Sequence, residues 1–199
     1  DLSRGRLGED NASTLGALLI TKIQLAAMSR ADVGLDARRP FYLYVDEFQN
    51  FATDSFASIL SEARKYRLNL IMAHQYINQL VVTKFGNTST QIRDAVFGNV
   101  GTICSFKIGA EDAEYLSKEY APLLSEQDIL NISNYKMYMK LNIDNTTSAP
   151  FSVNTIWDTT GKNPKMAELV KEYSRMTNAR KREFVEEEIT TRIGIDTDA

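Results

Sequence analysis

Cysteine, histidine and tryptophan each occur once in the sequence, at Cys104, His74 and Trp157. A single cysteine excludes a disulfide within the chain and makes a reducing, cytoplasmic setting the default expectation. Cys104 falls in the apolar run 102–106 and is read as a buried core thiol. A lone histidine with no cysteine beside it excludes the His/Cys clusters that hold zinc, which leaves His74 a structural or supporting role. Neither sign of charge dominates: 23 Lys and Arg face 26 Asp and Glu, for a net charge of −3. No global basic field marks nucleic acid or anionic lipid as a partner, although a local basic patch would be enough. No unbroken apolar run reaches the roughly 18 residues of a membrane span, and no leader pattern is present, so the chain reads as soluble. A G-x-S-x-G elbow is lacking, which excludes that class of serine hydrolase. So are internal repeats and low-complexity segments.

The most consequential lack is the phosphate-gripping loop G-x-x-x-x-G-K-[ST]. Gly161-Lys162 is the only Gly-Lys pair; Asn163 follows it, and Ile156 stands where the first glycine would be. Gly5 to Gly8 carries two glycines without a lysine and reads as a basic turn.

What is present is an ordinary globular composition, 43% hydrophobic and 25% charged, long enough for one α/β domain or part of a larger one. The chain is organised around Phe41 to Gln75, FYLYVDEFQNFATDSFASILSEARKYRLNLIMAHQ. Phe41 to Val45 are aromatic and β-branched and read as a buried strand that ends at Asp46-Glu47. A helix capped by Thr53 or Asp54 runs to about Tyr66, and Leu68 to Ala73 form a second strand. Strand, helix and strand with a short exit turn make a right-handed βαβ unit with parallel strands. Both strand ends then meet at the carboxyl edge, where ligands bind in such sheets.

Adjacent carboxylates at the end of a buried strand are costly unless they hold a metal, a water or a basic partner. Nucleotide hydrolysis supplies that use, with one carboxylate positioning Mg²⁺ and the next activating water. The plainer reading is a solvated loop start. Gln75, closing the second strand, is read either as a group that orients the attacking water or as a loop amide satisfied by backbone.

Around this unit, Asp10 or Asn11 caps a helix over about 12–29, apolar on nearly every side and therefore expected to be covered on more than one face. Helices are expected over 89–100 and 111–120, and a short one capped by Ser125. A third strand is expected over 101–107. The alternating segment 135–143 returns through 151–157 as a hairpin that extends the sheet at its edge. One long helix or two should fill 165–192, with Arg182–Glu186 and Glu188–Arg192 as i, i+4 pairs, packing loosely or against another subunit. The expected division is 1–157 and 158–199.

The segments FYLYVDEFQNF and SEARKYRLNLIMAHQYINQL resemble the motor ATPases of type IV secretion and conjugative DNA transfer, in the HerA–FtsK group of RecA-like hexameric motors. The opening LSRGRLGEDNASTLGALLITKIQLAAMSR is similar to the stretch those ATPases carry between P-loop and Walker B. The resemblance implies an α/β, RecA-like P-loop NTPase core, partial here, with a mainly parallel sheet flanked by helices. It implies ATP and Mg²⁺ as cofactors. Asp46 would be the Walker B aspartate and Mg²⁺ ligand, with Glu47, the catalytic glutamate, nearby. Arg64, in the A-R-K motif, would reach a neighbouring subunit's nucleotide, and Gln75 would lie near the γ-phosphate. Implied partners are copies of itself in a hexamer, DNA (single-stranded in coupling-type motors) and other secretion components at the inner membrane, with a cytoplasmic location peripheral to that membrane.

The departure is the absent P-loop, which in the family lies upstream. The chain, opening on Asp1-Leu2-Ser3, is accordingly expected to be the carboxyl-terminal part of a longer ATPase, with little turnover alone. A non-enzymatic RecA-like interaction domain and a HerA-like duplex DNA translocase are the alternatives. Arg4, Arg6, Lys84 and Arg93 are read either as phosphate contacts in a hexamer pore or as solvated charges.

Overall fold

A computed structural model describes residues 2–52, 54–84, 87–157 and 161–194. It divides the chain into two compact units, Asp1–Thr155 and Ile156–Ala199.

The first unit opens with a single helical turn, α1 (Arg4–Leu7), and the long helix α2 (Glu9–Met28). Gly8, at φ 79°, separates them and is the N-cap of α2. Asp10 and Asn11 therefore lie inside the first turn rather than capping it. There the charges of Glu9 and Asp10 suit the positive end of the helix dipole. The expectation that α2 is covered on several faces is corrected. It buries one stripe, Ala12, Gly16, Ile20 and Ala27, and leaves Leu15, Leu18, Leu19 and Leu25 exposed. The small residues of that stripe allow close approach: a Cβ on Gly16 would stand 2.1 Å from the ring of Phe51. Residues 9–32 are also long and apolar enough, by length and composition, to cross a membrane. The sequence expectation missed this because Ser13, Thr14, Thr21 and Lys22 interrupt the run without lowering its average hydropathy far.

Next come β1 (Phe41–Val45), α3 (Asp54–Glu62), a 3-10 turn over Ala63–Tyr66, and β2 (Leu68–Met72). Thr53 and the side chain of Asp54, the expected caps of α3, lie outside the described residues. The two strands pair in parallel, from Phe41 beside Leu68 to Val45 beside Met72. Their alternation gives Leu43, Val45, Leu68, Leu70 and Met72 to the core, with Phe56, Ile59 and Ala63 of α3. Tyr42, Tyr44 and Ile71, on the other face, are exposed.

A short antiparallel hairpin follows, β3 (Val82–Lys84) with β4 (Asn87–Ser89), so Ser89 ends a strand rather than starting a helix. Then come α4 (Gln91–Asn99), β5 (Ile103–Ser105), α5 (Ala110–Tyr120) and α6 (Glu126–Leu130). Ser125 caps α6 as expected, in a reciprocal box with Asp128. The unit closes with β6 (Lys136–Lys140), β7 (Asn142–Ile143), β8 (Thr146–Thr147) and β9 (Phe151–Asn154). Asp144 and Asn145, at φ 49° and 64°, make the tip, the backbone that a tight two-residue hairpin turn requires.

This region corrects the expected sheet. β5 pairs antiparallel with β6, and β6 with β9, in a three-stranded sheet separate from β1 and β2. The hairpin is not an edge extension, and among the described residues the parallel sheet has two strands. A second core made by Ala113, Leu116, Tyr120 and Ile129 draws Ile103 and Tyr138 of this sheet towards α5 and α6. Cys104 is corrected with it. In a three-residue strand the alternation buries Ser105 and leaves Cys104 exposed, although partial desolvation still pushes the thiol above its ordinary pKa.

The second unit is α7 (Pro164–Asn178) and α8 (Arg182–Ile193). Pro164 opens α7 at a position that needs no N–H donor, and Asn163 Oδ1 caps it by accepting from Met166 N at 3.0 Å. Arg182–Glu186 and Arg192–Glu188 pair at 2.5 and 2.8 Å as their spacing predicts. These pairs are solvated, so they add little to stability.

Candidate functional site

The parallel ladder continues beyond the strands proper. Ala73 N donates to Val45 O at 3.0 Å, and Phe48 N donates to Ala73 O at 3.1 Å. Asp46-Glu47 and His74-Gln75 therefore leave the same edge side by side. Glu47 adopts the left-handed conformation, φ 48° and ψ 46°, which turns the chain into a 3-10 turn over Phe48–Asn50. Phe48 has no exposed surface and anchors that turn, with its ring 5.8 Å from Phe56 and edge-on to His74 at 5.5 Å.

Above this anchor the polar groups converge on Glu47. Gln75 Nε2 donates to its Oε1 at 2.8 Å, and Asn50 Nδ2 donates to its Oε2 at 3.2 Å. Asp46 Oδ1 accepts from the Glu47 N–H at 3.0 Å, and its side chain is exposed. Asn50 is held in turn: its Oδ1 accepts from Arg4 Nη2, while Arg4 Nη1 pairs with Glu9 at 2.9 Å.

The exit from β2 is fastened on its other side. The buried Asp112 accepts from Ile77 N with both oxygens at 3.2 Å, and Asn78 Nδ2 donates to Glu111 at 2.6 Å. His74 sits between these arrangements. Burial drives its pKa below the ordinary value, more strongly than a backbone hydrogen bond at Tyr76 and the charge of Asp112 raise it. Among the described residues, His74 Nδ1 and Gln49 Oε1 are buried without a hydrogen-bond partner, two polar atoms left over next to the acidic pair.

Of the sequence-predicted residues, Asp46, Glu47 and Gln75 are thus brought together. Arg64 is not. It lies exposed in the turn that leads into β2, at the opposite, amino edge of the strands, and Nη2 donates to Asn145 Oδ1 of the hairpin tip. The candidate phosphate-contacting cations are dispersed. Arg4 is engaged as described, Arg93 pairs with Asp94 at 3.0 Å and lies over Tyr115, Arg6 is exposed, and the Lys84 side chain lies outside the described residues. Asn50 and Asp112 escaped the sequence reading. For Asn50 the available signal was its place three residues after Glu47, where a tight turn brings an amide back to the carboxylate.

Magnesium takes one or two carboxylates together with substrate phosphates and water. An exposed carboxylate such as Asp46 fits that demand. Among the described residues no group of three or more His, Cys, Asp or Glu forms a closed protein cage for a metal.

With this geometry in view, the family described as the "TraM recognition site of TraD and TraG" matches residues 40–155, and the chain belongs to that family. No curated protein matches the chain. Among solved structures it is similar to the bacterial conjugative coupling protein TrwBdeltaN70 in its unbound monoclinic form, with 13% identity and a TM-score of 0.55, over 76% of this chain and 40% of that one. It is also similar to the plasmid coupling protein TrwB in complex with ADP and Mg²⁺, with 15% identity and a TM-score of 0.54, over 74% of this chain and 38% of that one. The likeness is one of fold, and the chain spans less than half the length of these coupling proteins.

Proposed function

We propose that these residues form the hydrolytic half of the ATP-driven motor of a conjugative coupling protein. The observation that carries this reading is the contact of Gln75 with Glu47 at the carboxyl edge of two parallel strands, beside an exposed Asp46. ATP with its Mg²⁺ supplies the phosphoryl group and the charge that Asp46 faces. Glu47 takes the proton of the attacking water, and Gln75, bonded to it, fixes where that water stands. A separate segment grips the phosphates, since no P-loop lies in these residues.

Arg64 lies at the far edge and acts on the nucleotide of the next copy, so the working unit is a ring, a hexamer in the family resemblance. Its cargo is DNA, single-stranded in the coupling-type reading. It works with other secretion components on the cytoplasmic side of the inner membrane. A TraM-type protein is a further partner in this reading, which the family's description as a TraM recognition site supports.

The test uses the protein that carries these residues together with its phosphate-gripping segment. Glu47→Gln should lower ATP turnover by about a hundredfold or more while leaving nucleotide binding intact; retained turnover would remove Glu47 from this role. Arg64→Ala should be inactive alone and regain part of its activity when mixed with subunits that cannot bind ATP. No rescue on mixing would place the arginine in cis or outside catalysis.

One observation favours a second reading, a recognition domain without turnover: the family is described by what it recognises. Capture of a TraM-type protein by these residues, together with a Glu47→Gln variant that supports DNA transfer as well as the parent, would select it.

A further inference from the structure

Each oxygen of Glu47 accepts a hydrogen bond from a side-chain amide, Oε1 from Gln75 and Oε2 from Asn50. A carboxylate that is to remove a proton from water needs a lone pair directed at that water, and a hydrogen bond on each oxygen fixes where the remaining ones point. Gln75 has a place in the proposed chemistry. Asn50 has none, yet it is the more deliberately held of the two. Its carbonyl oxygen accepts from Arg4, which fixes the amide with its Nδ2 towards Glu47. Its backbone N donates to Glu47 O at 3.0 Å, closing the turn, and the next residue, Phe51, is seated against the Cβ-less surface of Gly16 on α2. The segment bearing Arg4 and the helix behind Phe51 thus hold the turn from two directions.

We propose that Asn50 is a positioning residue that restrains Glu47 in a resting geometry, and that Arg4 sets the restraint by holding Asn50. This rests on the reading of Glu47 as the group that activates water. The linkage is serial: Arg4 orients Asn50, and Asn50 occupies Glu47. Whatever draws the Arg4 guanidinium away frees Oε2. The chemistry able to do so is anionic and offers paired oxygens, that of a phosphate group. A nucleotide phosphate and a nucleic-acid backbone share it.

The experiment compares parent, Asn50→Ala, Arg4→Ala and the double variant in the protein that carries the phosphate-gripping segment, with Glu47→Gln alongside. Basal turnover should rise roughly tenfold in Asn50→Ala, with ATP affinity unchanged. Arg4→Ala should move it the same way by less. The double variant should match Asn50→Ala alone, because the two act in series. Adding single-stranded DNA to the parent should reproduce the rise if the backbone phosphate is the release signal. A rise with ATP concentration alone, unaltered by DNA, assigns the signal to the nucleotide.

Turnover that falls or stays level in Asn50→Ala overturns the restraint, and additive effects in the double variant overturn the series. If Glu47→Gln is itself active, the hydrolytic reading has failed rather than this one. On the 199-residue chain, the Gln75 side-chain amide resonances should shift in both Asn50→Ala and Arg4→Ala. Unchanged resonances in a folded variant would also sink the proposal.

Discussion

Helices α3 and α7 carry similar patterns and meet opposite fates. In α3, Phe56 and Ile59 are 1% and 4% exposed, whereas in α7 the stripe of Met166, Leu169, Val170, Tyr173 and Met176 includes Tyr173 at 72% and Met176 at 80%. Local sequence makes both helices equally well. What differs is cover: α3 shares a core with the parallel strand pair, α2 and α4, and the second unit buries no residue in either of its helices. An amphipathic pattern states that a face wants burial. It does not state where in the chain, or outside it, the cover comes from.

The largest effect should come from breaking the covered helix. Phe56→Ala leaves a cavity beside Phe48 and should cost about 3–5 kcal/mol of unfolding free energy in the first unit. Denaturant titration would check it, and a loss near zero would mean that this core is not packed as described. A smaller effect follows from His74, which belongs to the first unit only. Its folded pKa lies below the ordinary 6.5 because of burial, so the unfolded chain takes up a proton that the folded chain refuses. The contribution is full above the unfolded value and is lost as pH falls from there through the folded pKa. Melting of the first unit should therefore decline below about pH 6.5, and His74→Phe should flatten that limb. An unchanged pH profile in the variant would remove His74 as its cause. The smallest effect is expected in α7: Leu169→Gln with Tyr173→Gln should alter the stability of the chain by no more than about 0.5 kcal/mol. A larger, cooperative loss would show that α7 is covered after all.

Legibility in the sequence followed the same division between local and distant causes. The β1–α3–β2 unit could be read because its apolar strands, its helical stripe and its closing turn are contiguous. Ser125 could be read because capping is settled within four residues. The partner of β5 could not, because three residues, Ile103–Ser105, carry no mark of direction, and the antiparallel choice is made by β6 more than thirty residues on. The burial of Cys104 was misjudged for a related reason: an apolar neighbourhood in sequence says nothing about which of two sheet faces receives cover. That Asp46, Glu47 and Gln75 meet at one edge was legible from the strand ends alone. The contact of Asn50 was not, because it arises from the left-handed turn at Glu47 and from Arg4, forty-six positions away.

That left-handed residue has a further consequence. In an extended chain, neighbouring side chains look to opposite sides, so two adjacent acids would straddle the sheet and serve different compartments. A single change of backbone hand between them releases the second acid from this alternation. Only glycine, and to a lesser degree asparagine and aspartate, adopt such a conformation readily; for glutamate it costs roughly 1 kcal/mol. At Glu47 the chain accepts that cost, and so steers a side chain without lengthening the loop.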